Sequence, residues 1–165
     1  MFFYFSFFLS SFHRNPIIII ENRKLFVTKE NFLFVIAKDM VQEKIKAFVQ
    51  KTLGCGCPEE VFEYIDCLSN IPLNNILLRN RINIGNKLLI FVVEANNFDS
   101  LEETLISLVD AGIRERDSGK FNRFRLVIAV DNPSFFKQHA YDIFDTLAKD
   151  ERVHLHIIHK DDLTF

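Results

Sequence analysis

With 165 residues, 48 % of them hydrophobic, and 20 Lys+Arg against 22 Asp+Glu for a net charge of −2, the chain can bury a core as one domain. It lacks the positive field that draws proteins to nucleic acid or to acidic membranes, so another protein is the expected class of partner. Three cysteines, two of them nearly adjacent, do not make a disulfide framework, and a reducing cytoplasm is the natural compartment.

Residues 1–39 read differently from the remainder. Nine of the 19 Phe fall there, beside an isoleucine run from Ile17 to Ile20 and without a single glycine. The apolar run at residues 2–9 is far short of the roughly 20 residues that cross a bilayer. No basic residue precedes it, as one would in a secretory signal. Phe, Ile, Asn, Lys and Tyr share A/T-rich codons, so the segment reads as translated upstream DNA with Met40 as the start. The alternative is a real extension, in which residues 17–20, 25–27 and 32–37 form strands or an apolar arm. The expected division is therefore an N-terminal extension, 1–39, and a single α/β domain, 40–165.

Val41, Ile45, Phe48, Val49 and Leu53 recur at helical spacing and predict an amphipathic helix over 41–53. Gly54 suits the left-handed position that ends a helix. After Cys55-Gly56-Cys57, Pro58 suits a first helical position, and Glu59, Glu60 and Glu63 favour an N-terminal half, which predicts a second helix over 58–67. A thiolate at that N-terminus would be stabilised by unpaired N–H groups, against the opposing charge of the three glutamates.

The Cys-x-Cys pair carries three readings. The first is a reversible disulfide, whose small ring would be of the labile, oxidising kind. The second is a pair of thiolate ligands for zinc or an iron–sulfur cluster. The third is two small residues in a tight interhelical turn. On a helix, Cys67 would lie on the order of 15 Å from Cys57, too far to share a metal, and it reads as a buried small hydrophobe. His154 and His156, two apart in a strand-like run, would point to one face and could complete a tetrahedral site with Cys55 and Cys57.

Residues 76–84 alternate as a strand with one wet face, and Gly85-Asn86 signals a hairpin turn. Residues 87–94 form a continuous apolar run of strand length, expected to be buried on both faces. Ser100 and Glu103 make a capping box for a helix with the stripe Leu101, Leu105, Leu108 and Val109, with Gly112 near its end. A charged loop over 114–123 leads to a second buried strand, 124–130. Asp131 or Asn132 caps a helix opened by Pro133, with the stripe Phe136, Ala140, Ile143, Phe144 and Leu147. A last strand covers 153–158. The order α-α-β-β-α-β-α-β predicts an α/β fold: a small, mixed, mostly parallel four-stranded sheet with flanking helices, preceded by two N-terminal helices.

Parallel sheets bind ligands beyond the carboxyl ends of their strands, where Glu94 and Asp131 stand. The run 88–94 ending in Glu94 resembles the opening of the Toprim metal-binding domain, which implies magnesium held by Glu94 and Asp131. Asp131-Asn132-Pro133 lacks that family's second aspartate. Arg114, Arg116, Lys120, Arg123 and Arg125, with Phe121 and Phe124 interleaved, form a basic cluster able to clamp a phosphate or other anion. No Gly-x-Gly-x-x-Gly turn and no nucleophile-elbow or zinc-protease motif occurs.

Leu53-Gly54-Cys55-Gly56-Cys57-Pro58-Glu59-Glu60-Val61-Phe62 together with Gly119-Lys120-Phe121-Asn122-Arg123-Phe124-Arg125-Leu126-Val127 resembles a family of small, functionally uncharacterised proteins from anaerobic prokaryotes. The resemblance spans about residue 40 to the end and implies a cytoplasmic protein in a low-potential metabolism, without naming a reaction. The expected function is thus thiol redox or metal/iron–sulfur chemistry through Cys55 and Cys57. The alternative is a non-catalytic interaction or regulatory module with structural cysteines.

Overall fold

The computed structural model describes secondary structure for residues 17–20, 23–26, 29–95 and 101–165, and side chains for 36–95 and 101–165. The chain divides into two compact units, Met1–Val41 and Gln42–Phe165. In the first, β1 (Ile17–Ile20) pairs antiparallel with β2 (Arg23–Phe26). Residues 32–37, expected as a strand if real, are helical and belong to α1 (Lys29–Ala47). That helix begins well before the expected residue 41 and continues as one π-helical turn, Phe48–Thr52.

In the second unit a five-residue 3-10 turn (Glu59–Glu63) leads to β3 (Ile65–Leu73), β4 (Ile76–Ile84), β5 (Leu88–Glu94), α2 (Leu101–Ser118), β6 (Arg123–Val130), α3 (Pro133–Thr146) and β7 (Val153–His159). Ser100, the expected cap of α2, lies outside the described residues. The five strands stand in chain order across one sheet. Pairings β3–β4 and β4–β5 are antiparallel, whereas β5–β6 and β6–β7 are parallel.

This corrects the expected four-stranded, mostly parallel sheet. The second N-terminal helix does not form: only residues 59–63 coil, as a 3-10 turn, and Tyr64 is already extended at φ −124°. Ile65 and Cys67 then pair with Ile84 and Ile82 of β4. Three glutamates after a proline are a local helix signal, but satisfying the otherwise open edge of β4 outweighs local propensity. Counting the β1–β2 hairpin, three of the five described pairings are antiparallel.

Strands β5 and β6 sit at the centre, buried from Leu88 to Val93 and from Phe124 to Val130. One sheet face packs on α2 and α3 through Leu105, Leu108, Val109, Ala140 and Phe144. The other carries Ile82, Ile84, Leu88, Ile90, Val127 and Ile158, covered by Ile45, Phe48, Val49 and Leu53 from the end of α1 and the turn after it. The stripes expected for α2 and α3 are therefore the faces they bury. Asn132 does precede Pro133, but its side chain makes no capping hydrogen bond. Among the described residues no helix is long and apolar enough to cross a membrane.

Gly112 does not end its helix. It lies mid-way along α2, where a Cβ would overlap the fully buried Phe124 ring, itself packed edge-to-face on Phe91 at 5.0 Å. Because the ring is held from both sides, Gly112→Ala is expected to lower stability by about 3 kcal/mol. Urea unfolding reads the loss, and an unchanged midpoint would mean the ring has room to yield.

Candidate functional site

The end of α1 positions the cysteines. Leu53 N–H donates to Phe48 O at 3.1 Å and Cys55 N–H to Val49 O at 3.0 Å, while Gly54 takes φ +62°, the left-handed conformation that lets the chain reverse. Cys55 and Cys57 are joined as a disulfide with Cα atoms 5.2 Å apart. The two sulfurs differ in environment. Cys55 is 8 % exposed and belongs to the apolar cluster of Val49, Leu53 and Ile84, whereas Cys57 is only half-buried.

The segment after Pro58 is a single 3-10 turn, too short to build a macrodipole, so it offers these sulfurs no helix N-terminus. The electrostatic setting comes from elsewhere. A cleft of about 500 Å³ opens between Cys55–Pro58 and the starts of β5 and β6, with Val61, Ile84 and Leu88 as apolar walls and Lys87, Asn122 and Arg123 as polar ones. Lys87 O accepts from Asn122 N at 2.8 Å and Arg123 N at 3.1 Å, and Leu88 lies opposite Arg123 in the parallel register. These bonds hold the two cationic residues side by side. The cleft lining contains no acid.

The glutamates expected to oppose a thiolate there line a separate cleft of about 340 Å³, with Gln42, Glu43, Lys46 and Phe62. Lys46 and Gln50 bind Glu59, and the Lys46 ammonium holds its carboxyl below the usual range.

Gly85 sets the shape of the cysteine cleft. It has φ +59°, its N–H donates to Tyr64 O at 2.8 Å, and a Cβ there would come within 2.6 Å of Val61 O. The hairpin turn read at Gly85-Asn86 thus also makes room for the 3-10 turn that walls the cleft.

The remaining candidates are not brought to the cysteines. Glu94 is paired with Arg79, and Asp131 with Lys160 at 2.8 Å. Both stand at the carboxyl ends of their strands, whereas the cysteine cleft lies at the amino ends of β5 and β6. The basic cluster disperses: Arg114 is exposed on α2, and Arg116 is buried against Asp117 and Asp150 at 2.8 and 2.7 Å. Phe121 and Phe124 are core residues. Of the expected anion ligands, only Arg123 reaches the cleft.

Arg125 is 6 % exposed on the sheet face that α1 covers. It donates to Leu53 O, and its Nη1 lies 3.0 Å from His156 Nε2. A guanidinium only donates, so His156 must be neutral, with its proton on Nδ1 and the Nε2 lone pair already used. That lone pair is what a metal would have needed. Among the described residues no group of three or more His, Cys, Asp or Glu is placed to hold a metal ion. Arg125 itself has an unpartnered Nε, and burial followed by repulsion from Arg123 pulls its guanidinium below the ordinary value.

Cys67 is half-buried on β3, not on a helix, and accepts from Asn80 Nδ2 at 3.4 Å. Burial raises its pKa, which keeps it a thiol. Lys87 and Asn122 are the cleft residues that sequence reading missed. The hairpin signal placed Lys87 at a strand start, but only the parallel pairing of β5 with β6 brings it to Arg123.

No protein-family model, no curated protein and no solved structure matches this chain.

Burial, and then the positive charge of Arg125, lower the His156 pKa from 6.5 to about 4. The unfolded chain therefore binds the extra proton between about 6.5 and 4, and stability falls as pH drops through that window, by about 2 kcal/mol after allowance for the ring's partial exposure. His156→Gln should flatten the slope of stability against pH between 6.5 and 4. An unchanged slope would move the effect to other groups. Asp150, held at about 2 chiefly by Arg152, loses its contribution only below 3.8.

Proposed function

We propose that this protein exchanges thiols and disulfides, with Cys57 as the attacking sulfur and Cys55 as the resolving one. The observation that carries this reading is the unequal exposure of a bonded pair at a cleft wall: Cys57 is half-buried, while Cys55 is 8 % exposed. Thiolate fraction and access govern such exchange, and cations nearby favour the thiolate. Lys87 and Arg123 supply those cations.

In the reducing direction, the Cys57 thiolate attacks one sulfur of a partner disulfide. The partner's S–S bond breaks, and the departing thiolate takes a proton. Cys55 then loses its proton, attacks Cys57 Sγ and expels the second partner thiol. The partner gains two electrons and two protons, and the Cys55–Cys57 bond forms. The oxidising direction is the same sequence reversed. A reducing cytoplasm and a low-potential metabolism would keep the pair cycling through its dithiol form.

A Cys55→Ser variant should accumulate a mixed disulfide on Cys57 with a disulfide probe, whereas Cys57→Ser should react at least tenfold more slowly because its remaining thiol is buried. Intact mass after acid quench reads both. Equal trapping by the two variants would overturn the assignment of roles.

The packing of Cys55 into the apolar cluster favours a second reading, in which the bond is a structural staple in an interaction module. A pair that stays oxidised in excess dithiothreitol while the fold persists would select it.

A further inference from the structure

The cleft beside the cysteines is lined by three chemically distinct groups: the sulfurs, an apolar set of Val61, Ile84 and Leu88, and the cations Lys87 and Arg123. Neither cationic side chain has an ion pair or hydrogen bond among the described residues, and the lining holds no carboxylate to neutralise them. Two residues on from Arg123, on the same face of β6, Arg125 is 6 % exposed, with one donor unsatisfied and no carboxylate bound among the described residues. A sheet face that buries one uncompensated guanidinium and presents another beside it carries a standing positive potential. Low-dielectric walls focus such a field into the cleft. The volume of about 500 Å³ falls within the range of small-molecule sites.

We propose that this cleft takes a low-molecular-weight thiol or its disulfide bearing a carboxylate, with the carboxylate against Lys87 and Arg123, the aliphatic segment along Ile84 and Leu88, and the sulfur at Cys57. The proposal rests on the exchange reading above and names its substrate class. Starting from the oxidised protein, the small thiolate attacks Cys57 Sγ and breaks the bond to Cys55, whose thiolate takes a proton. A second small thiol, losing its proton, attacks the sulfur already attached to Cys57. It leaves as the small-molecule disulfide, and the protein retains two thiols.

The test compares three reductants of the oxidised full chain: 3-mercaptopropionate, 2-mercaptoethanol and cysteamine, with rates expressed per thiolate. The anionic thiol is expected to react on the order of tenfold faster than the cationic one at low salt, and the gap should narrow as salt screens the field. Lys87→Gln/Arg123→Gln should bring the three rates to within about twofold, while Lys87→Arg/Arg123→Lys should keep the order. Equal rates per thiolate in the unmodified protein, or an order unaffected by salt and by charge removal, would overturn the anionic substrate and leave exchange standing. A bond that none of the three thiols opens, and that dithiothreitol also leaves closed, would overturn the exchange reading itself. The salt series on the unmodified chain decides the question even where the double variant does not fold.

Discussion

Two adjacent strands without a wet face govern this molecule. Every residue of β5 from Leu88 to Val93 and of β6 from Phe124 to Val130 is buried, so their parallel pair is stable only with apolar cover on both sides. Helices α2 and α3 supply one layer. The end of α1 with the turn behind it supplies the other. The cysteines are consequently part of the cover of a sheet, Cys55 buried in it and Cys57 half-buried at its margin. Their inequality is a product of where the hydrophobic layer stops.

Arg125 is the exception within that layer. Burying a guanidinium without a carboxylate is costly, and the residue persists because Leu53 O and neutral His156 accept its protons. The bond to Leu53 also fastens the turn that leads into Cys55 to β6. Charge and position are thus coupled: the residue that anchors the cysteine turn also places a buried positive charge beneath it. Arg123, two residues earlier on the same face, brings that polarity to the surface at the cleft.

These features bear on the chemistry together. In the proposed exchange a thiolate is both nucleophile and leaving group, and nearby cations stabilise it in both roles. The acids of the 3-10 turn, which would act in the opposite sense, are directed to a different cleft and partly neutralised by Lys46. Cys67, the third thiol, is kept protonated by burial and separated from this setting on an outer strand.

Strands β4 to β7 were legible from hydrophobic runs, and α2 and α3 from their stripes, because each buries a regular face that local periodicity records. The Gly54 reversal was equally plain, since few residues tolerate φ above zero. Strand β3 was not legible: Pro58 with three glutamates mimics a helix start, and its strand character comes from the hairpin with β4, in which Leu73 meets Ile76 across a tight turn at Asn74 and Ile65 meets Ile84. Nor could local pattern show that His156 turns its Nε2 to an arginine that lies 31 positions from it in sequence. By itself the sequence determined which segments must be buried, where the chain must turn and that two sulfurs stand two residues apart, all of them short-range properties of side-chain size and backbone freedom. Tertiary structure alone decided which end of the strands those sulfurs occupy, which of them meets solvent and which cations they meet, because non-local pairing of strands sets these distances.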